Sequence, residues 1–296
     1  MRPMSLFESG ESTGEVSLSD LFDKSEIPVI QHNKTLEEIA FLTCRGGWPQ
    51  ATFLQGDIAL DQAEDYVESL LNVDMHRVDK IQRSSERMRY IMRSYARHQG
   101  AQCPISMIRE DLFGSDGQSI SDDTISSYLG VLNSLYVIED MPAWNPNLRS
   151  KAAIRTSATR YYIDPSIATA VLGIAPKDLI NDLRTFGFMF ETMAVRDIRV
   201  YADALKAKVY HFRDSNGLEC DTVIHRRDGS YGLVEIKLGG PKNIEQAATN
   251  LHTLANTIDT EKMATPSFMM VLTAVGPYAY RRKDGVYVVP LACLKP

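Results

Sequence analysis

The sequence predicts a mixed α+β fold, with a helical N-terminal segment and a C-terminal α/β domain built on a mixed sheet. Three observations lead to this prediction. Apolar residues recur at helical spacing through the first half of the chain, short apolar runs around Asn-Gly and Asp-Gly turns fill the last third, and a helical pattern lies on each side of those runs. The chain has 296 residues, which is enough for about two domains.

The first domain, residues 1–83, is predicted to be helical. Helical spacing of apolar residues covers Leu18–Phe22, Leu36–Cys44 and Asp61–Leu71. A Gly-Gly-Trp-Pro sequence at residues 46–49 interrupts these helices, because glycine and proline break regular structure. This sequence is either a structural turn anchored by its tryptophan or a binding loop, and a turn is the commoner outcome.

The second domain, residues 84–165, is predicted to be winged-helix-like. Three helical patterns begin at Ser85, Pro104 and Ser121. Two short strands, Tyr136–Ile138 and Arg160–Ile163, then flank a long loop, the wing.

The charges of this second domain bear on DNA binding. Winged helices often lay their third helix in the major groove. Here that helix begins with Asp122 and Asp123 and has no lysine or arginine, which is unfavourable next to phosphates. The wing is basic instead, and its candidate nucleic-acid-binding residues are Arg149, Lys151, Arg155 and Arg160. The alternative is a solvated loop or a protein-docking surface.

The third domain, residues 166–296, is predicted to hold the sheet. A helix over Phe186–Leu205 precedes a three-strand meander, and a second helix, with an apolar face from Ile244 to Ile258, precedes a strand over Ser267–Val275. Asn-Gly and Asp-Gly turns separate the meander strands. These strands are Lys208–Arg213, Leu218–Ile224 and Tyr231–Leu238.

Three charged residues interrupt these otherwise apolar strands. Glu235 and Lys237 are two apart on one strand and therefore share a face, and Asp221 lies on the preceding strand. Charges among core residues are costly unless they are paired or used. We interpret Asp221, Glu235 and Lys237 as candidate catalytic residues.

The chemistry of these residue types fits phosphodiester cleavage. Two carboxylates, Asp221 and Glu235, are expected to bind Mg²⁺, which prefers oxygen ligands and activates a bound water. The Lys237 ammonium orients that water or stabilises charge in the transition state. The alternative is a salt bridge between Lys237 and a neighbouring carboxylate with no catalytic role.

The order of helix, three-strand meander, helix and strand resembles the restriction-endonuclease-like, or PD-(D/E)XK, fold. Proteins with that fold usually carry a further acid on the first helix, and Glu191 occupies that place here. The resemblance implies that Glu191 is a third metal ligand. An ordinary surface glutamate on a helix is the alternative.

The whole chain also resembles the C-terminal part of a prokaryotic family of predicted AAA-type ATPases that end in a domain of unknown function. The segments that carry this resemblance are Arg2–Gly10, residues 46–49, Tyr161–Pro165, Phe190-Glu191, Phe212–Asp214, Glu219–Asp221, Val234–Lys237 and Val286–Leu294. The resemblance implies an ATPase module as a partner, in cis or in trans.

The phosphate-binding loop of such ATPases is missing. The chain has no G-x-x-x-x-G-K-[ST] sequence and starts at the segment that follows the nucleotide-binding core in relatives. We therefore expect no ATP binding and no ATPase activity from this chain, and we expect it to be a truncated gene, a split gene or a fragment.

Composition and charge exclude several classes of protein. The net charge of −6 excludes a polycation that coats nucleic acid, so any DNA-binding surface must be local. No apolar run approaches a membrane span of about 20 residues, and the N-terminus lacks the apolar stretch of a signal peptide. We expect a cytoplasmic protein with no membrane partner.

Two classes of function fit these observations. The first is a DNA-associated, nuclease-like module, with a Mg-dependent deoxyribonuclease site that is either active or degenerate. The second is a protein-recognition module of the ATPase without catalytic activity. The charged trio favours the first class, and the acidic third helix favours the second.

Overall fold

The computed structural model describes residues 2–23, 27, 29–31, 33–77, 83–113, 120–145 and 157–296. These residues form a mixed α+β structure with a helical N-terminal part and a C-terminal mixed sheet, so the predicted fold class is confirmed. The chain divides into two compact units that are discontinuous in sequence. The first unit comprises Met1–Ile39, Met141–Ala158 and Met193–Pro296, and the second comprises Ala40–Asp140 and Thr159–Thr192. Our division at residues 83 and 165 stays a prediction.

The helices of the described residues are α1 (Leu18–Phe22), α2 (Leu36–Arg45), α3 (Asp57–Asn72), α4 (Ser85–Arg97), α5 (Ile105–Leu112), α6 (Asp122–Ser134), α7 (Pro165–Leu172), α8 (Pro176–Asn181), α9 (Leu183–Ala204) and α10 (Pro241–Thr257). The strands are β1 (Val16–Ser17), β2 (Ile30–Gln31), β3 (Ala207–Arg213), β4 (Glu219–Arg226), β5 (Tyr231–Lys237), β6 (Phe268–Thr273), β7 (Tyr278–Arg281), β8 (Tyr287–Pro290) and β9 (Leu294–Lys295). None of the helices in the described part of the chain has the length and apolar character needed to cross a membrane.

The first unit contains a seven-stranded sheet in the order β2-β7-β8-β6-β5-β4-β3. The meander β3–β4–β5 is antiparallel, and β6 then pairs in parallel with both β5 and β8. Gly217 and Gly229 turn the two meander hairpins at φ of +85° and +90°, which glycine adopts without strain. This local turn chemistry places β4 and β5 side by side.

Helix α10 covers one face of this sheet. Its Ala247, Ala248, Leu251 and Leu254 are buried and belong to one hydrophobic cluster with residues of β4, β5, β6 and β8. Leu233 of β5 and Val271 of β6 lie in that cluster, whereas the alternate residues of both strands do not. The side chains of Leu233 and Val271, and of the residues two positions away on the same strands, therefore point toward α10.

The outer strand β3 is shielded by a short segment at residues 142–144. Trp144 donates its backbone N–H to the carbonyl oxygen of His211 at 2.6 Å, and His211 donates its own to the carbonyl oxygen of Pro142 at 3.1 Å. These bonds occupy groups that an exposed sheet edge would otherwise offer to another chain.

The second unit is helical, with α4, α5 and α6 placed close to the predicted positions. The hydroxyls of Ser84 and Ser121 cap α4 and α6 by accepting backbone N–H bonds. The two predicted wing strands were too long. Within the described residues they are reduced to a single antiparallel bridge between Ile138 and Tyr162, and Tyr136 has a φ of +56° that does not fit a strand.

The Gly-Gly-Trp-Pro sequence is a structural turn. Asp164 is fully buried, and its carboxylate accepts the backbone N–H of Gly47 at 2.9 Å and the hydroxyl of Ser166 at 2.6 Å. The Trp48 indole donates to the same hydroxyl at 2.9 Å and packs on Tyr66, with ring centroids 4.4 Å apart. The tryptophan is an anchor, as one of the two interpretations expected.

This turn leaves no room for a side chain at residue 46. Gly46 has a φ of +73°, and a Cβ atom there would collide with the side chains of Ser166 and Asp164. Gly173, which ends α7 at a φ of +69°, has no neighbour from the described residues within 4 Å of the corresponding position. The two glycines thus share their backbone conformation and differ in the surrounding space.

We predict that Gly46→Ala destabilises the protein far more than Gly173→Ala. The Gly173 variant bears only the left-handed backbone penalty of about 1–2 kcal/mol. The Gly46 variant must also disrupt the buried hydrogen bonds of Asp164, which adds at least about 2 kcal/mol. Urea unfolding, monitored by circular dichroism, measures the stability loss of both variants. Equal losses in the two variants would show that the turn is not tightly packed.

Candidate functional site

The candidate site lies where β4 and β5 stop pairing. The last register pair between these strands is Thr222 with Val234. Beyond this pair, the backbone N–H of Ile236 donates to Asp221 Oδ2 at 2.7 Å. The Asp221 carboxylate therefore takes the acceptor role that a backbone carbonyl would fill in a continuing ladder.

Lys237 connects the two carboxylates. Its Nζ atom lies 3.1 Å from Asp221 Oδ2 and 2.7 Å from Glu235 Oε2. The structure thus brings together Asp221, Glu235 and Lys237, the three residues predicted to be catalytic.

The Glu235 carboxyl is the most deeply buried of the three, with 2% of its side chain exposed. Burial disfavours its charged form and, together with the nearby charge of Asp221, raises the pKa of Glu235 to about 8, although Lys237 acts in the opposite direction. Burial lowers the pKa of Lys237, but the charges of Asp221 and Glu235 outweigh this and the net change is upward. Lys237 is therefore a cation at neutral pH.

One oxygen of the Glu235 carboxyl has no hydrogen-bond partner among the residues that the structure describes. Oε1 is buried and accepts no hydrogen bond from any residue that the structure describes. Such an atom is costly in a folded protein and is rare unless water or an ion satisfies it. Two close carboxylates, one with an unused oxygen, fit a divalent cation that prefers oxygen ligands. Asp221 and Glu235 are the residues that would hold it.

Glu191, the predicted third ligand, belongs to the second unit. There its carboxylate accepts the hydroxyl hydrogen bond of Tyr161 and lies next to Gly100. Among the described residues, no group of three or more Asp, Glu, His or Cys side chains is placed to hold a metal ion. The geometry supports a two-carboxylate site, and the role of Glu191 stays a prediction.

Of the predicted nucleic-acid-binding residues, Arg149, Lys151 and Arg155 lie outside the described residues. Arg160 is described and has structural partners. Its guanidinium pairs with Asp140, and its Nε donates to the carbonyl oxygen of Cys103 at 3.1 Å.

Sequence reasoning missed Thr273 at the end of β6. It is the register partner of Lys237, it is fully buried, and its hydroxyl has no partner within the described part of the chain. A threonine at the end of an apolar strand carries no signal by itself. Its position next to Lys237 follows from the parallel pairing of β5 with β6, which the sequence pattern does not reveal.

Two family models match this chain. Residues 36–178 match a domain of unknown function, DUF8612, and residues 186–294 match a second domain of unknown function, DUF4143. DUF4143 is known as a C-terminal partner of AAA ATPase-like proteins. A search of curated proteins found no match.

The buried Glu235 carboxyl predicts a pH-dependent stability. Folding raises the pKa of Glu235 from 4.5 to about 8. Below about pH 4.5 the carboxyl is protonated in the folded and the unfolded protein alike, so it then costs the folded state no stability. Its ionisation then costs stability as the pH rises through this window. In buffer with EDTA, we predict that Glu235→Gln gains stability relative to wild type between about pH 5 and pH 8, on the order of 4 kcal/mol.

Denaturant unfolding at several pH values measures this difference. The matched control is Glu219→Gln, since the Glu219 side chain is 55% exposed in the same sheet and its loss should leave the pH profile unchanged. If the stability difference between the Glu235→Gln variant and wild type does not change with pH, burial does not raise the pKa of Glu235.

Proposed function

We propose that the chain is a nucleic-acid-associated module whose first unit carries a metal-dependent phosphodiesterase site of the PD-(D/E)XK type. The observation that carries this proposal is the convergence of Asp221, Glu235 and Lys237 at the point where β4 and β5 separate. Within the described residues, Glu235 Oε1 has no hydrogen-bond partner there. A trio with only a structural role would have no use for a buried, unsatisfied carboxylate oxygen.

The topology around the trio supports the same proposal. Helix α9 precedes the antiparallel meander β3–β4–β5, and α10 then crosses over to β6, which pairs in parallel with β5. This is the element order that the resemblance to restriction-endonuclease-like proteins implies. The site residues lie at the carboxyl end of β5, where a parallel pair commonly presents its functional groups.

Each residue has a distinct role in the proposed mechanism. Asp221 and Glu235 would hold the cation, and a bound cation would supply an activated water and positive charge next to the phosphate. Lys237 acts as a charge and hydrogen-bond donor and not as a base, because its pKa is raised and it keeps its proton. Two of its ammonium protons are directed at the two carboxylates, which leaves the third for a phosphate oxygen or the attacking water.

A second candidate function has its own support. Lys237 already forms ion pairs with both carboxylates, as a lysine in a structural ion-pair network would. In that case the chain would be a protein-recognition module of an AAA-type ATPase, with the site inherited from a nuclease. An ATPase module, in cis or in trans, is the partner that we propose for either function.

We predict that the chain cuts or nicks DNA only with Mg²⁺ or Mn²⁺, and that Asp221→Ala and Lys237→Ala each abolish this activity. The first change removes a metal ligand. The second removes a charge, and one such electrostatic group contributes about 3 kcal/mol or more, roughly 100-fold in rate. Relaxation of supercoiled plasmid DNA measures the reaction.

Matched controls are Glu261→Ala and Lys242→Ala, since both side chains belong to exposed residues of the same unit and should be dispensable. Cleavage that persists in both site variants would reveal a contaminating nuclease. Absence of cleavage together with absence of metal binding in the wild-type chain would contradict the enzymatic proposal and favour the recognition module.

A further inference from the structure

Thr273 lies next to Lys237, at the carboxyl end of the neighbouring strand β6. The two are register partners in the parallel pair β5–β6, as are Glu235 and Val271. Register partners point to the same face of a sheet, and residues two apart on a strand share that face. The Thr273 side chain therefore projects from the face that carries Glu235 and Lys237.

Two buried polar atoms on this face have no hydrogen-bond partner in the described part of the chain. Neither Thr273 Oγ1 nor Glu235 Oε1 forms a hydrogen bond with any residue that the structure describes, and both residues are almost completely buried. Buried polar atoms nearly always have a partner, which in many proteins is an ordered water. A hydroxyl can both donate and accept, so it suits a water molecule, while a carboxylate oxygen suits a cation.

We propose that Thr273 is a positioning residue of the metal site, whose hydroxyl accepts a hydrogen bond from a water molecule of the cation held by Asp221 and Glu235. This inference rests on the proposed function. A Mg²⁺-like cation keeps several of its waters, and those waters need acceptors in a buried site. Thr273 supplies such an acceptor without adding negative charge.

Thr222 provides an internal comparison. It is also fully buried with a partnerless hydroxyl among the described residues. It pairs with Val234, which is next to Glu235 in sequence and therefore faces the opposite side of the sheet. A partnerless hydroxyl on that side has no path to the proposed cation, so Thr222 is a matched control.

The test is calorimetric titration of MnCl₂ into the full chain and its variants. We expect Thr273→Val to weaken Mn²⁺ binding by about 10-fold or more, the effect typical of losing an outer-shell partner. Thr273→Ser keeps the hydroxyl, and Thr222→Val removes the one on the other face, so both should stay within about threefold of wild type.

Thermal unfolding without metal separates positioning from structure. Valine has nearly the shape of threonine, and replacing a partnerless buried hydroxyl should leave the melting temperature of the metal-free protein unchanged or raised. Wild-type Mn²⁺ affinity in Thr273→Val would overturn the role of Thr273 and leave the proposed function standing. A lower melting temperature in this variant, or equal weakening by Thr222→Val, would overturn it as well. Absence of Mn²⁺ binding in the wild-type chain would overturn the inference and the proposed function together.

Discussion

The candidate site depends on the separation of β4 from β5 at Asp221. A backbone N–H at this point must find an acceptor, and the N–H of Ile236 finds the Asp221 carboxylate. This bond holds Asp221 against β5, so that Lys237 can reach both Asp221 and Glu235. If the ladder continued with regular pairing, the carboxylate would have no backbone donor and no fixed orientation. The end of the β4–β5 pairing therefore determines where the three charged side chains lie.

The charges of the site compensate each other only in part. Burying two carboxylates is costly, and one lysine offsets part of that cost through two ion pairs. The raised pKa of Glu235, and its carboxylate oxygen without a hydrogen-bond partner among the described residues, show where the compensation is incomplete. A divalent cation would complete it, because it adds positive charge and accepts the unused oxygen as a ligand. The same incompleteness explains why the site should be less stable when both carboxylates are ionised and no cation is bound.

Local patterns were sufficient to predict the meander and the charged trio. Asn-Gly and Asp-Gly turns set the hairpins, and alternation along β5 places Glu235 and Lys237 on one face. The features that depend on distant pairing were not predictable. Thr273 lies next to Lys237 because the crossover through α10 brings β6 into parallel pairing with β5. The predicted wing strands are reduced to one bridge at Ile138 within the described residues. The hydrogen bond from Tyr161 to Glu191 likewise joins residues whose sequence patterns carry no sign of it.

The central claim is that Asp221 and Glu235 together hold a divalent cation, and anomalous diffraction from crystals soaked in MnCl₂ tests it most directly. We predict an anomalous difference peak within about 2.5 Å of a carboxylate oxygen of each residue. The peak should be absent from crystals of the Asp221→Ala variant. No peak at this position in the wild-type protein, with Lys237 still bridging both carboxylates, would contradict the account and leave the trio as an ion-pair network.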